Sequence, residues 1–152
     1  MKARVVDKVF SVFCLLAVAI ISIICNAGDF ISGNNGEINL LTVAITIIYV
    51  LYCLAFALFS HTHKKNIIVS MILSVITLIV AIMGLLVSTF RLTIDILIPF
   101  AILFLSPFQG LTAVMQSNWV VIYSIIIIIS ILWVFLTLLN FRRYNKNINT
   151  KR

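Results

Sequence analysis

Long uncharged runs alternate along this chain with short polar segments, and the lengths of the runs are the first informative feature. Val9 to Gly28, Ile38 to Ser60 and Ile67 to Phe90 contain no Lys, Arg, Asp, Glu or His. Each reaches the about 20 helical residues needed to cross a ~30 Å hydrocarbon layer. A fourth uncharged region, Ile96 to Phe141, ends in an evident helix from Trp119 to Phe141. Its first part, ILIPFAILFL from Ile96 to Leu105, is apolar but carries Pro99, with Pro107 and Gly110 close behind. Ten helical residues cover only about 15 Å, half a membrane.

Charge decides whether that short stretch crosses. With four spans, Lys2, Arg4, Lys8, Lys64, Lys65, Arg142, Arg143, Lys146, Lys151 and Arg152 share one side and only Arg91 lies on the other. A fifth crossing would split the cations five to six and abolish the bias that normally marks the cytoplasmic face. The expectation is therefore an all-α integral membrane protein, a single membrane domain over residues 1–152. It is a four-transmembrane-helix antiparallel bundle in the plasma (cell) membrane, with both termini cytoplasmic. Its spans run over approximately 9–28, 38–60, 67–90 and 119–141, with an outer interfacial or re-entrant segment over approximately 92–117. Asp29, Glu37 and Asp95 then fall outside and Asp7 within. The first outer loop, GDFISGNNGE, reads as a simple turn-rich connector.

The composition agrees. Of 152 residues, 63% are hydrophobic and 10% charged, and the formal net charge is +7. Soluble domains are about 45–50% apolar and about 25% charged, and disordered chains need low hydrophobicity. The basic excess sits in short segments between apolar runs, which points to topology and anionic lipid rather than to nucleic acid. Lys2, Arg4 and Lys8 resemble the start of a signal peptide, but the apolar run behind them is longer than the usual 7–15 residues. A lipoprotein reading of Cys25 meets Ile24 where a small residue is needed. The abundance of Ile, Asn and Lys suggests a bacterial, AT-rich coding style.

Helices in lipid associate through small and hydroxyl-bearing faces. On the third span Ser70, Ser74, Thr77, Ala81, Gly84 and Ser88 recur at heptad spacing. The second span repeats it with Thr42, Thr46, Tyr49, Cys53, Phe56 and Ser60. The fourth does so with Tyr123, Ile126, Ser130, Trp133, Thr137 and Asn140. These seams predict left-handed packing in an up-down-up-down bundle, and Tyr49 near mid-span needs a hydrogen-bond partner on a neighbouring helix. Trp119 and Tyr123 at one end of the fourth span, with Phe141 and Tyr144 at the other, suit aromatic belts.

Chemistry is sparse. No ionisable carboxylate, Lys, Arg or His lies within a span, which counts against proton-coupled carriers and carboxylate relays. Cys14, Cys25 and Cys53 are isolated and form no C-x-x-C pair for thiol redox chemistry. Asp29 and Asp95 lack the setting of a two-aspartate membrane peptidase. His61 and His63, beside Lys64 and Lys65, have no Cys, Asp or Glu nearby to complete a metal site, and no cofactor is indicated. The outer segment has the best claim to function. Arg91, Asp95, Pro99, Pro107, Gln109 and Gln116 are its candidate partner- or ligand-binding residues. Arg91 and Asp95 are spaced to pair on one helix. Ser106, Gln109, Thr112, Gln116, Ser117 and Asn118 are expected as polar groups at the outer mouth. The expected role is an accessory, assembly or protective (immunity-like) protein without catalysis, with another membrane protein or a membrane-active peptide as partner and homo-oligomers possible in the bilayer. The alternative is a small oligomeric transporter or channel for a neutral or lipid-like solute.

Overall fold

The structure is a computed structural model that describes residues 3–32, 40–59, 64–90, 95–115 and 118–149. The described residues are helical with no strand. In order they form α1 (Ala3–Ser32), α2 (Leu40–Phe59), α3 (Lys64–Phe90), α4 (Leu97–Leu105), a 3-10 turn (Ser106–Phe108), α5 (Gly110–Val114) and α6 (Trp119–Asn149). Four of these contain segments long and apolar enough to cross a membrane, namely Val12–Ile31, Leu40–Phe59, Lys64–Phe90 and Trp119–Lys146. Three helices outrun the uncharged runs that define them, α3 because it begins at Lys64, ahead of Ile67. α1 continues past Gly28 through Asp29 and Phe30 to Ser32, and α6 continues through Arg142 and Arg143 to Asn149.

The heptad seams are the buried rows. On α3, Ser70, Ser74, Thr77 and Ala81 are buried, while Gly84 and Ser88 are half-buried. On α6, Ile126, Ser130, Trp133, Thr137 and Asn140 are buried. On α2, Thr42, Thr46, Tyr49, Cys53 and Phe56 are buried, and Ser60 lies outside the described residues. The large exposed side chains are the other faces, such as Ile47, Ile48 and Leu51 on α2 and Ile128, Ile131 and Phe135 on α6. Lipid tails are as apolar as leucine, so burying hydrocarbon supplies little drive here. Close approach and hydrogen bonding between small polar faces take its place.

The α3–α6 seam shows how. Ser70 Oγ lies 3.0 Å from Thr137 Oγ1, and the Trp133 indole N–H donates to Ser70 Oγ at 2.9 Å. Fourteen residues further along α3, Gly84 lies against the Tyr123 ring; a Cβ there would come within 2.8 Å of Tyr123 Cε1. Residue numbers thus fall on α6 as they rise on α3. At the far end of that seam the Asn140 amide donates to the backbone carbonyls of Ala57 and Leu58, tying α6 to the last turn of α2.

Candidate functional site

The segment between α3 and α6 forms a helical hairpin that enters the bundle and returns to the end it came from. Gly84 and Tyr123 are neighbours, so the end of α3 and the start of α6 lie at one level, and the hairpin hangs between them. α4 descends against α3 and α1, the 3-10 turn lodges between α1 and α2, and α5 returns along α2 toward α6. At the tip, Phe108 meets Tyr49 edge-on, with ring centroids 5.4 Å apart and an interplanar angle of 86°. Tyr49 is the tenth residue of the twenty in α2. At 1.5 Å per residue the tip therefore reaches about 14 Å down that helix, close to its midpoint.

Local sequence explains the turn. Pro107 has no N–H and interrupts the helical ladder, so α4 stops at Leu105 and gives way to a single 3-10 turn. The Ser106 hydroxyl bonds back to the Ile102 carbonyl, and the Gln109 N–H to the Ser106 carbonyl at 2.9 Å. Gly110 then allows the backbone to press on α2, since a Cβ there would meet Thr42 O at 2.6 Å and Val43 Cα at 2.7 Å. Pro99 stands in the first turn of α4, where its missing donor costs nothing.

A polar latch holds the tip. Thr46 Oγ1 donates to the Pro107 carbonyl at 2.9 Å and accepts the Gly110 N–H at 2.9 Å. From α1 the Asn26 amide donates to Thr46 Oγ1 and to the Pro107 carbonyl, both at 3.4 Å. One turn toward the N-terminus of α2, Thr42 Oγ1 donates to Asp29 Oδ2 at 3.3 Å. Non-helical backbone at this depth is tolerated only where protein satisfies it, and Thr46 satisfies one donor and one acceptor of the turn.

Two buried amide oxygens in this region, Asn26 Oδ1 and Gln109 Oε1, have no hydrogen-bond partner. Gln109 is only 2% exposed. With Thr112 it lines a void of about 10 Å³, the size of a single water, walled by Phe30, Phe108, Trp119 and Tyr123. Trp119 stacks on Tyr123 at 5.9 Å and meets Phe30 edge-on at 6.4 Å. This aromatic cluster packs against the hairpin at the start of α6.

Of the candidate residues of the outer segment, Pro107 and Gln109 are buried at the tip and Asp95 and Pro99 are exposed at the start of α4. Arg91 and Gln116 lie outside the described residues. Ser106, Gln109 and Thr112, expected at the outer mouth, are buried inside the bundle instead. The turn backbone must be satisfied in the interior, and these side chains accompany it. Tyr49 meets the hairpin through its ring. Asn26 is the residue that sequence reasoning missed. Its signal was a lone amide in an apolar span, one turn after Ser22, which is likewise buried.

Among the described residues no group of three or more His, Cys, Asp or Glu stands together to hold a metal. Cys14, Cys25 and Cys53 are free thiols, and His61 and His63 lie outside the described residues. No family model matches the chain, and no curated protein or solved structure shows significant similarity to it.

Proposed function

We propose that this is a non-catalytic multi-pass protein of the bacterial cell membrane that acts through helix contacts, with the hairpin as its contact element. In this reading the four long helices cross antiparallel with both termini cytoplasmic. Descending numbering on α6 against α3 supports the antiparallel arrangement, and the ten-to-one bias of Lys and Arg supports the orientation. The partner is another membrane protein or a membrane-active peptide, and the role is accessory, assembly or protective.

The observation that carries the reading is the division of labour within the hairpin. Its tip is locked by Thr46, Asn26 and Gly110, whereas α4 turns Ile96, Pro99, Phe100 and Leu103 away from the bundle along one helical face. Ile96 is 74% exposed and Phe100 48%. The chain's own fold makes no use of that face, and the latch holds it rigid, as a recognition element requires. A photo-crosslinking residue at Phe100 should capture one protein or peptide stoichiometrically in native membranes, while the same probe at Phe135 on α6 should capture lipid alone. Lipid adducts only at both positions would sink the reading.

A second reading, passage of a neutral or lipid-like solute by an oligomer, is favoured by the unpartnered oxygens of Asn26 and Gln109. Purified protein in liposomes should then speed the entry of small polyols, and Gln109→Leu should abolish the gain. Flux equal to that of empty liposomes would exclude it.

A further inference from the structure

At the end of the bundle opposite the hairpin, four cations of α3 and α6 stand at one level, and neither of these helices nor α2 carries an acid to balance them. Ser70 faces Thr137, and Gly84 faces Tyr123. Five and six residues beyond Ser70, the same register sets Lys65 level with Arg142 and Lys64 level with Arg143. The Asn140 bonds to the carbonyls of Ala57 and Leu58 bring the last turn of α2 to the same level. All four cationic side chains are exposed. Helices α2, α3 and α6 contain no Asp or Glu, and no ion pair engages any of the four among the described residues. Lys64 and Lys65 moreover occupy the first turn of α3, the positive end of the helix dipole, where cations are disfavoured. Arg142 and Arg143 add two more charges alongside. Such a cluster is held against its own repulsion, and an anion relieves it.

Placement selects the anion. The four charges stand where the apolar runs of α3 and α6 end, which is headgroup depth for helices of this length. Half-buried Tyr144 and exposed Phe59 flank them, side chains suited to the interface. We propose that Lys64, Lys65, Arg142 and Arg143 form a binding site for the phosphate headgroup of an anionic phospholipid, seated at the α3–α6 seam and sealing that end of the bundle. The arginines supply forked donors to phosphate oxygens and the lysines point charges. The site is independent of what the hairpin contacts.

The test uses the full chain in a neutral detergent, titrated separately with phosphatidylglycerol, phosphatidylcholine and inorganic phosphate, with thermal unfolding followed by tryptophan fluorescence. Phosphatidylglycerol should raise the melting temperature saturably, and the other two should not. About five-fold in half-saturating lipid is expected per cation removed. By the tenfold-per-1.4 kcal/mol conversion, this corresponds to the about 1 kcal/mol typical of one basic side chain at an anionic surface. The pairs K64Q/K65Q and R142Q/R143Q should each shift the midpoint roughly 25-fold, and the single variants K64Q and R143Q about five-fold. Added salt should weaken the response of the wild-type chain. Equal responses to the two lipids, reproduction by inorganic phosphate alone, or variants that titrate like wild type would each overturn the site.

Discussion

Thr46→Val is the sharpest probe of the latch, because it keeps the shape of the side chain and removes one oxygen. That oxygen bonds the Pro107 carbonyl and the Gly110 N–H, each at 2.9 Å, and receives the Asn26 amide at 3.4 Å. Side-chain hydrogen bonds between helices in a bilayer average ~0.6 kcal/mol, with values up to ~1.7. A buried N–H left without an acceptor adds about 1–3 kcal/mol. Gly110 is buried against α2, so its N–H has no other acceptor at hand, and the Pro107 carbonyl keeps only the long bond from Asn26. The expected loss is about 2–3 kcal/mol, at the upper end of single-residue effects in membrane proteins. Thr77→Val is the matched control. Thr77 is equally buried, but its hydroxyl donates to the Leu73 carbonyl of its own helix at 2.9 Å, so its removal should stay within ~0.5 kcal/mol. Unfolding by sodium dodecyl sulfate in mixed micelles measures both. A second readout isolates the hairpin: with the native cysteines replaced, Gln109→Cys should resist a water-soluble maleimide in the Thr46 background and react in the T46V background. If T46V and T77V unfold together and Gln109→Cys stays protected in both, the hairpin is not held by this oxygen.

The three described glycines should rank by what a methyl group would meet. Gly110→Ala drives a Cβ to 2.6–2.7 Å from the α2 backbone and Thr46 Oγ1; it should release the hairpin or cost at least about 3 kcal/mol, read by the same detergent titration. Gly84→Ala meets only the Tyr123 ring, which can swing aside, and about 1 kcal/mol is expected. Gly28→Ala meets nothing within 4 Å and should be neutral or stabilising by about 0.5–1 kcal/mol through helix propensity. Asn140→Leu removes the tie to the α2 carbonyls and should destabilise by about 1–2 kcal/mol. Hydrogen exchange should then rise selectively at Ala57 and Leu58 and remain unchanged at the hairpin. Ser70→Ala takes the acceptor from the Trp133 indole, so the emission of a Trp119→Phe background, in which Trp133 is the remaining tryptophan, should shift to shorter wavelength; an unchanged spectrum would mean that the 2.9 Å bond is not formed.

Most of the architecture was legible in the sequence because one physical rule governs it. In lipid, apolar residues carry no information about which face is inside, so the rare hydroxyls and small side chains carry all of it. The rows from Thr42 to Phe56, Ser70 to Ala81 and Ile126 to Asn140 could be read straight off the spacing. The span from Val9 to Gly28 was harder, since of its buried residues among those described, Leu15, Ser22 and Asn26, only the last two are polar enough to mark the face. Charge ends the uncharged runs without ending the helices. Asp29 stays helical because Thr42 donates to it, and Arg142 and Arg143 stay helical because long cationic side chains reach the headgroups from the end of a span.

The hairpin shows where such reading runs out. From its sequence, ILIPFAILFL could lie on the surface, cap the bundle or enter it, because all three bury the same apolar side chains. The choice rests on whether the backbone freed by Pro107 can find partners at depth, and those partners lie sixty and eighty residues away, at Thr46 and Asn26. Neither is marked as special in its own helix. Thr46 sits in a stripe whose spacing does not single it out from Thr42 or Tyr49, and Asn26 stands in a run that is otherwise almost wholly apolar. The same pairing leaves Asn26 Oδ1 and Gln109 Oε1 buried and unpartnered, a cost that an apolar interior would avoid. At Asn26 that cost is set against the two hydrogen bonds its amide donates to the latch, which alanine would remove. The polar requirement thus lies with the hairpin, whose turn has to find these partners inside the bundle.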